Sequence, residues 1–199
     1  MATVTPKPPP VFNLPNQLTA SRLVLALILF GLIAYQQWVA CTVVFALAAL
    51  TDWLDGYFAR KQGLISTLGR NLDPLVDKVL ICGAFIFLVP VDGAGLAAWM
   101  ATLVVARELI ITSLRGFLES AGAQFGADWL GKIKMVLQCG ALFAVFIALR
   151  VQQATEPTDN LRFAFDLLRD IFIYAMLAAT ALSGLQYLWR AALLFRSDD

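Results

Sequence analysis

Between Leu23 and Thr51 the chain runs for 29 residues without a charge, and between Ile171 and Trp189 for another 19. A helix crosses a bilayer with roughly 20 mostly apolar residues, so these stretches predict an all-α integral membrane protein. Charged residues make up 15% of the chain, against about 25% in soluble domains. Six hydrophobic segments can be counted, near Leu18–Trp38, Cys41–Phe58, Leu72–Pro90, Gly95–Leu118, Leu130–Val151 and Phe163–Phe195. They predict six transmembrane helices in one domain, residues 13–199. Residues 1–12, rich in proline, are expected to be a disordered lead. The last segment is too long for one crossing, so its ends should lie along the interface or continue into water. Gln36-Gln37 and Val91–Gly95 read as tight connections.

An even number of crossings places both termini on one side. On that side fall 12 of the 15 Lys and Arg residues, leaving Arg150, Arg162 and Arg169 on the other. Basic residues mark the cytoplasmic face, which predicts a multi-pass protein of the inner (cytoplasmic) membrane with its polar site facing the cytoplasm. The tryptophans Trp38, Trp53, Trp99, Trp129 and Trp189 lie near segment ends and read as interfacial anchors. Cys41, Cys82 and Cys139 sit far apart in apolar segments and read as packing or lipid-facing residues. There is no histidine, which excludes histidine nucleophiles, bases and metal ligands. A net charge of +1 gives no sign of a nucleic-acid partner.

Against this apolar background stand four aspartates, Asp52, Asp55, Asp73 and Asp77. Their spacings, i to i+3 and i to i+4, put each pair on one helix face. Acids beside long apolar runs are costly unless paired, hydrated or bound to metal. An oxygen-only donor set favours Mg²⁺ or Mn²⁺ over zinc, and two such ions could clamp a diphosphate. Gly56, Ala59 and Gly69 are small on the same helical rows and allow close approach. Arg60 adds a bidentate phosphate donor. Pro74 calls for a first-turn position or a kink. On spacing alone two other readings stay open. One is a solvated surface where acids and bases merely pair, the other a divalent-cation pathway through the membrane.

The run Asp52-x-x-Asp55-Gly56-x-x-Ala59-Arg60, eight residues, then Gly69-x-x-x-Asp73-x-x-x-Asp77 resembles the signature of the CDP-alcohol phosphotransferase family at every defining position. Asn13–Arg22, Ala106–Leu109 with Leu114-Arg115, and Leu130–Lys134 are similar to bacterial members that make phosphatidylglycerophosphate. The resemblance covers roughly residues 13–140 and leaves the last third with hydrophobicity alone.

The resemblance implies transfer of a phosphatidyl group from CDP-diacylglycerol to sn-glycerol 3-phosphate, with release of CMP. It implies that Asp52, Asp55 and Asp73 ligate metal, and that Asp77 lies near the ions and takes the acceptor hydroxyl's proton. Gly56, Arg60 and Ser66 match positions that hold the cytidine nucleotide, and Asn16 and Thr19 a further wall of that pocket. Arg107, Arg115, Lys132 and Lys134 are the candidates for the acceptor phosphate. Inositol phosphate, serine or phosphatidylglycerol (for cardiolipin) are alternative acceptors on the same scaffold. Membrane lipid and a second copy of the chain, in a homodimer, are the implied partners.

Overall fold

The computed structural model describes residues 14–62, 67–120, 129–154 and 158–197, with the side chains of 14–16, 18–19, 52–62, 67–74, 119 and 194–197 left out. Every regular element among them is helical: α1 (Leu14–Ala34), α2 (Trp38–Gln62), α3 (Thr67–Leu88), α4 (Ala98–Ser120), α5 (Trp129–Gln152) and α6 (Asp159–Ser197). The six apolar segments thus each become one helix. Residues 1–12 and Ser66 lie outside the described residues.

α5 and α6 are long and apolar enough to cross a membrane, and Ala20–Ala34 and Trp38–Thr51 are shorter apolar stretches of α1 and α2. α6 is one unbroken helix of 39 residues, roughly 58 Å at 1.5 Å per residue. Thr158 starts it, its carbonyl accepting from the amides of Leu161 and Arg162, and Asp159 in the first turn complements the positive end of the helix dipole. α3 begins at Thr67, so Pro74 lies inside the helix and not in its first turn, the first of the two positions expected for it. A proline there leaves the carbonyl of Arg70 without its usual amide donor.

The turns follow the sequence. Gln36 takes a positive φ of 55° between α1 and α2, and Gly93 and Gly95 take 82° and 71° between α3 and α4. Glycine enters that region without a Cβ penalty.

α1 packs against both α2 and α3, α5 packs most extensively against α6, and α4 joins the bundle through α6 and α3. The core runs through Leu29 and Ile33 of α1, Phe45 of α2, Phe85 and Leu88 of α3, Phe146 of α5 and Met176 of α6. Phe45 meets Phe143 edge-on with ring centres 4.9 Å apart, and Phe30 stacks on Phe87 at the same distance. Gly83 leaves room for the Phe30 ring between α1 and α3, and Gly140 leaves room for Phe172 between α5 and α6. Small residues at helix contacts are the usual device where lipid removes the hydrophobic drive to associate. Outward faces carry Leu27, Val43, Leu47, Ile86, Ile110, Val136 and Leu185, all exposed. An apolar exterior of this extent suits lipid rather than water.

Among the tryptophans with described side chains, which leave out Trp53, one departs from the interfacial reading. Trp38 is only 2% exposed and belongs to the core, whereas Trp99, Trp129 and Trp189 are exposed. Its place as first residue of α2, just after a tight turn, folds the indole back against the bundle. Cys41 is buried, and Cys82 and Cys139 are partly so; none of the three is in a disulfide among the described residues.

At the Gly93 end, Arg169 of α6 binds three groups. Its guanidinium donates to the Gly93 carbonyl at 2.5 Å, to Asp166 at 2.9 Å and to Asp170 at 2.8 Å. Gln152 at the end of α5 donates to Asp166 at 2.8 Å. The α3–α4 turn, α5 and α6 are thereby clasped together at one end of the bundle.

Candidate active site

The four acids lie on the two helices where their spacing put them. Asp52 and Asp55 are in the last part of α2, with Gly56 and Arg60; Asp73 and Asp77 are in the first half of α3. Asn16 and Thr19 lie in α1. Of this group only Asp77 has a described side chain, and the mutual approach of the acidic rows lies outside the described residues. Asp77 is half-buried and pairs with the guanidinium of Arg22 from α1.

Arg22 is 1% exposed and among the largest fully buried side chains. Sequence reasoning counted it as a cytoplasmic-side charge and as the end of the Asn13–Arg22 stretch of family resemblance, without a role of its own. Yet its position gave a signal: a lone cation immediately before 29 uncharged residues needs a counter-charge from another helix. α1 packs along α3, which is how an acid 55 positions away becomes that partner.

A second polar cluster lies among α3, α4, α5 and α6. Glu108 of α4 is buried and accepts from Lys134 of α5 and, at 3.2 Å, from neighbouring Arg107. Arg107 also donates to the Ser183 hydroxyl of α6 at 3.0 Å. Arg115 donates to the Tyr187 hydroxyl. Lys78, one residue beyond Asp77, lies within electrostatic reach of Glu108, Arg115 and Asp77. One carboxylate therefore faces several cations, and the surplus charge suits an anion that brings its own oxygens. Two buried donors, the Arg107 Nε and the Gln138 amide, find no partner among the described residues. Gln138 stands one turn beyond Lys134 on the same face of α5.

Three of the four cations proposed for the acceptor phosphate, Arg107, Arg115 and Lys134, are thus gathered by this cluster. Lys132 is placed elsewhere. It is exposed and lines an outer apolar groove with Trp129, Ile133, Val136 and Leu137. Positions two apart on a helix do not share a face, so Lys132 and Lys134 look in different directions. Ser183 and Tyr187 were missed from sequence, because α6 offered no motif and only the fold brings it against α4.

The profile of the CDP-alcohol phosphatidyltransferase family matches residues 12–183. The chain belongs to that family. The match spans the acids, the cation cluster and Ser183 of this CDP-alcohol phosphatidyltransferase. Relatives agree in name. A CDP-diacylglycerol–glycerol-3-phosphate 3-phosphatidyltransferase of Bacillus subtilis (strain 168) is 33% identical, covering 89% of this chain and 94% of its own. Proteins of the same name from Pectobacterium atrosepticum and Yersinia pestis (strain Pestoides F) are 35% and 32% identical. They cover 67% and 88% of this chain, and 76% and 93% of their own.

Proposed function

We propose that this chain transfers a phosphatidyl group from CDP-diacylglycerol to sn-glycerol 3-phosphate, giving phosphatidylglycerophosphate and CMP. Family membership and relatives of that name along nearly the whole chain support the reaction. The observation that carries the acceptor is the buried Glu108 shared by Arg107 and Lys134, with Arg115 bonded to Tyr187 beside them, a setting that favours a phosphorylated alcohol over a neutral one.

The donor set fits a hard divalent ion. Asp52, Asp55, Asp73 and Asp77 supply only carboxylate oxygen, on backbone that is helical through all four. Two ions, Mg²⁺ or Mn²⁺, when bound there supply charge neutralisation at the diphosphate. The chain's own residues do the rest. Arg60 holds the nucleotide phosphates, and Gly56 leaves a flat surface for the cytidine, with Asn16, Thr19 and Ser66 around it. Arg107, Arg115 and Lys134 hold the acceptor's phosphate and so aim its free hydroxyl. Asp77 takes the proton from that hydroxyl, whose oxygen bonds to the phosphatidyl phosphorus while the bond to CMP breaks. Arg22 holds the Asp77 side chain in place from α1.

The same reading takes residues 13–199 as one membrane domain of six crossings in the cytoplasmic membrane, acids on the cytoplasmic side, working as a homodimer. The test uses purified protein, labelled CDP-diacylglycerol and a panel of acceptors: glycerol 3-phosphate, inositol phosphate, serine and phosphatidylglycerol. The expected lipid product is phosphatidylglycerophosphate. Turnover with serine or phosphatidylglycerol but not with glycerol 3-phosphate rules the proposal out.

A further inference from the structure

We infer that Tyr187 and Ser183 of α6 are positioning residues for the acceptor, setting the guanidiniums of Arg107 and Arg115 as a pair that receives one phosphate. The inference rests on the functional reading above and adds to it a role for the helix that carried no motif.

Arg107 and Arg115 stand two turns apart on α4, about 12 Å along its axis. Their guanidiniums nevertheless converge on one ring, with centres 6.0 Å and 5.4 Å from that of Tyr187. Tyr187 is 4% exposed, so the ring is a fixed plate and not a mobile cover. Its face attracts both cations, and its hydroxyl accepts from Arg115. One turn earlier, Ser183 is fully buried, donates to the Thr180 carbonyl at 3.1 Å and accepts from Arg107. Gly184 completes the rack. A Cβ there would stand 3.3 Å from the Arg107 Cγ, so the bare Cα is what lets the arginine stem lie against α6.

Two cations drawn towards one ring repel each other, and Glu108 engages Arg107 but makes no ion pair with Arg115 among the described residues. The Arg107 Nε is buried and has no partner among the described residues. Guanidiniums set against one ring, one of them with a buried donor unmet among the described residues, are arranged for a ligand that accepts from both. A phosphate, with several acceptor oxygens and a double charge, is that ligand.

The test is steady-state kinetics of the full-length protein, varying glycerol 3-phosphate and CDP-diacylglycerol separately, alongside thermal unfolding. Tyr187→Phe keeps the plate and removes the hydroxyl. It should raise KM for glycerol 3-phosphate about tenfold, as loss of one charged hydrogen bond does, and leave KM for CDP-diacylglycerol within about twofold. Ser183→Ala should do the same through Arg107. Tyr187→Phe added to Arg115→Ala should change nothing further, because the hydroxyl acts through that arginine. An unchanged glycerol 3-phosphate KM in both single variants overturns the inference alone. So does a loss shared equally between the two substrates, or one confined to thermal stability. Wild-type protein that releases no CMP on addition of glycerol 3-phosphate overturns the functional reading and this inference with it.

Discussion

Asp77 carries the sharpest expectation at the level of single residues. It holds a buried guanidinium through one oxygen and, in the proposed reaction, takes a proton. Asp77→Asn keeps the shape but removes both the basicity and the counter-charge of Arg22, so CMP release should fall by at least about a hundredfold, the scale of a lost general base. CDP-lipid binding should persist, measured by equilibrium binding of the labelled nucleotide lipid. Near-normal turnover would defeat the assignment. The residues legible from sequence were those with motif spacing; Arg22, Ser183 and Tyr187 were not, although each touches a residue that was. Their roles depend on partners 55 to 76 positions away, a distance no local pattern spans.

Among the elements, α6 combines two tasks at different heights. Its first part clasps the Gly93 turn through Arg169, and its later part carries Ser183 and Tyr187 against α4. The two should be separable. Arg169→Ala strips the buried donor from the Gly93 carbonyl and from Asp166 and Asp170, at a cost of roughly 2 kcal/mol. In detergent the unfolding midpoint should drop by about 5 °C, with both KM values unchanged. A selective loss of glycerol 3-phosphate affinity would instead mean that the clasp reaches the site. The helices themselves were plain in the sequence, since long apolar segments, even those that carry charges at one end, allow little else in lipid. Pro74 was less so: a residue that weakens a helix locally is carried when a long apolar continuation packs on α1.

For the whole molecule, the proposed chemistry needs acids and cations on one membrane face and divalent ions at the acids. Chelation should stop CMP release, and added Mg²⁺ or Mn²⁺ should restore it. Activity that survives exhaustive chelation removes the metal from the mechanism. In sealed right-side-out vesicles, glycerol 3-phosphate supplied only outside should give no product until the membrane is opened. Immediate product formation would reverse the orientation.

The amino-acid order by itself determined that this chain is helical, apolar outside and acidic on α2 and α3, because bilayer thickness, helical period and motif spacing are all local in sequence. Tertiary structure decided the rest. Packing buries Trp38 in place of an interfacial indole, turns Lys132 outward and Lys134 inward, and supplies Arg22 to Asp77 and α6 to the arginines of α4. Those outcomes depend on which helix lies beside which, and nothing in a run of neighbouring residues encodes that choice.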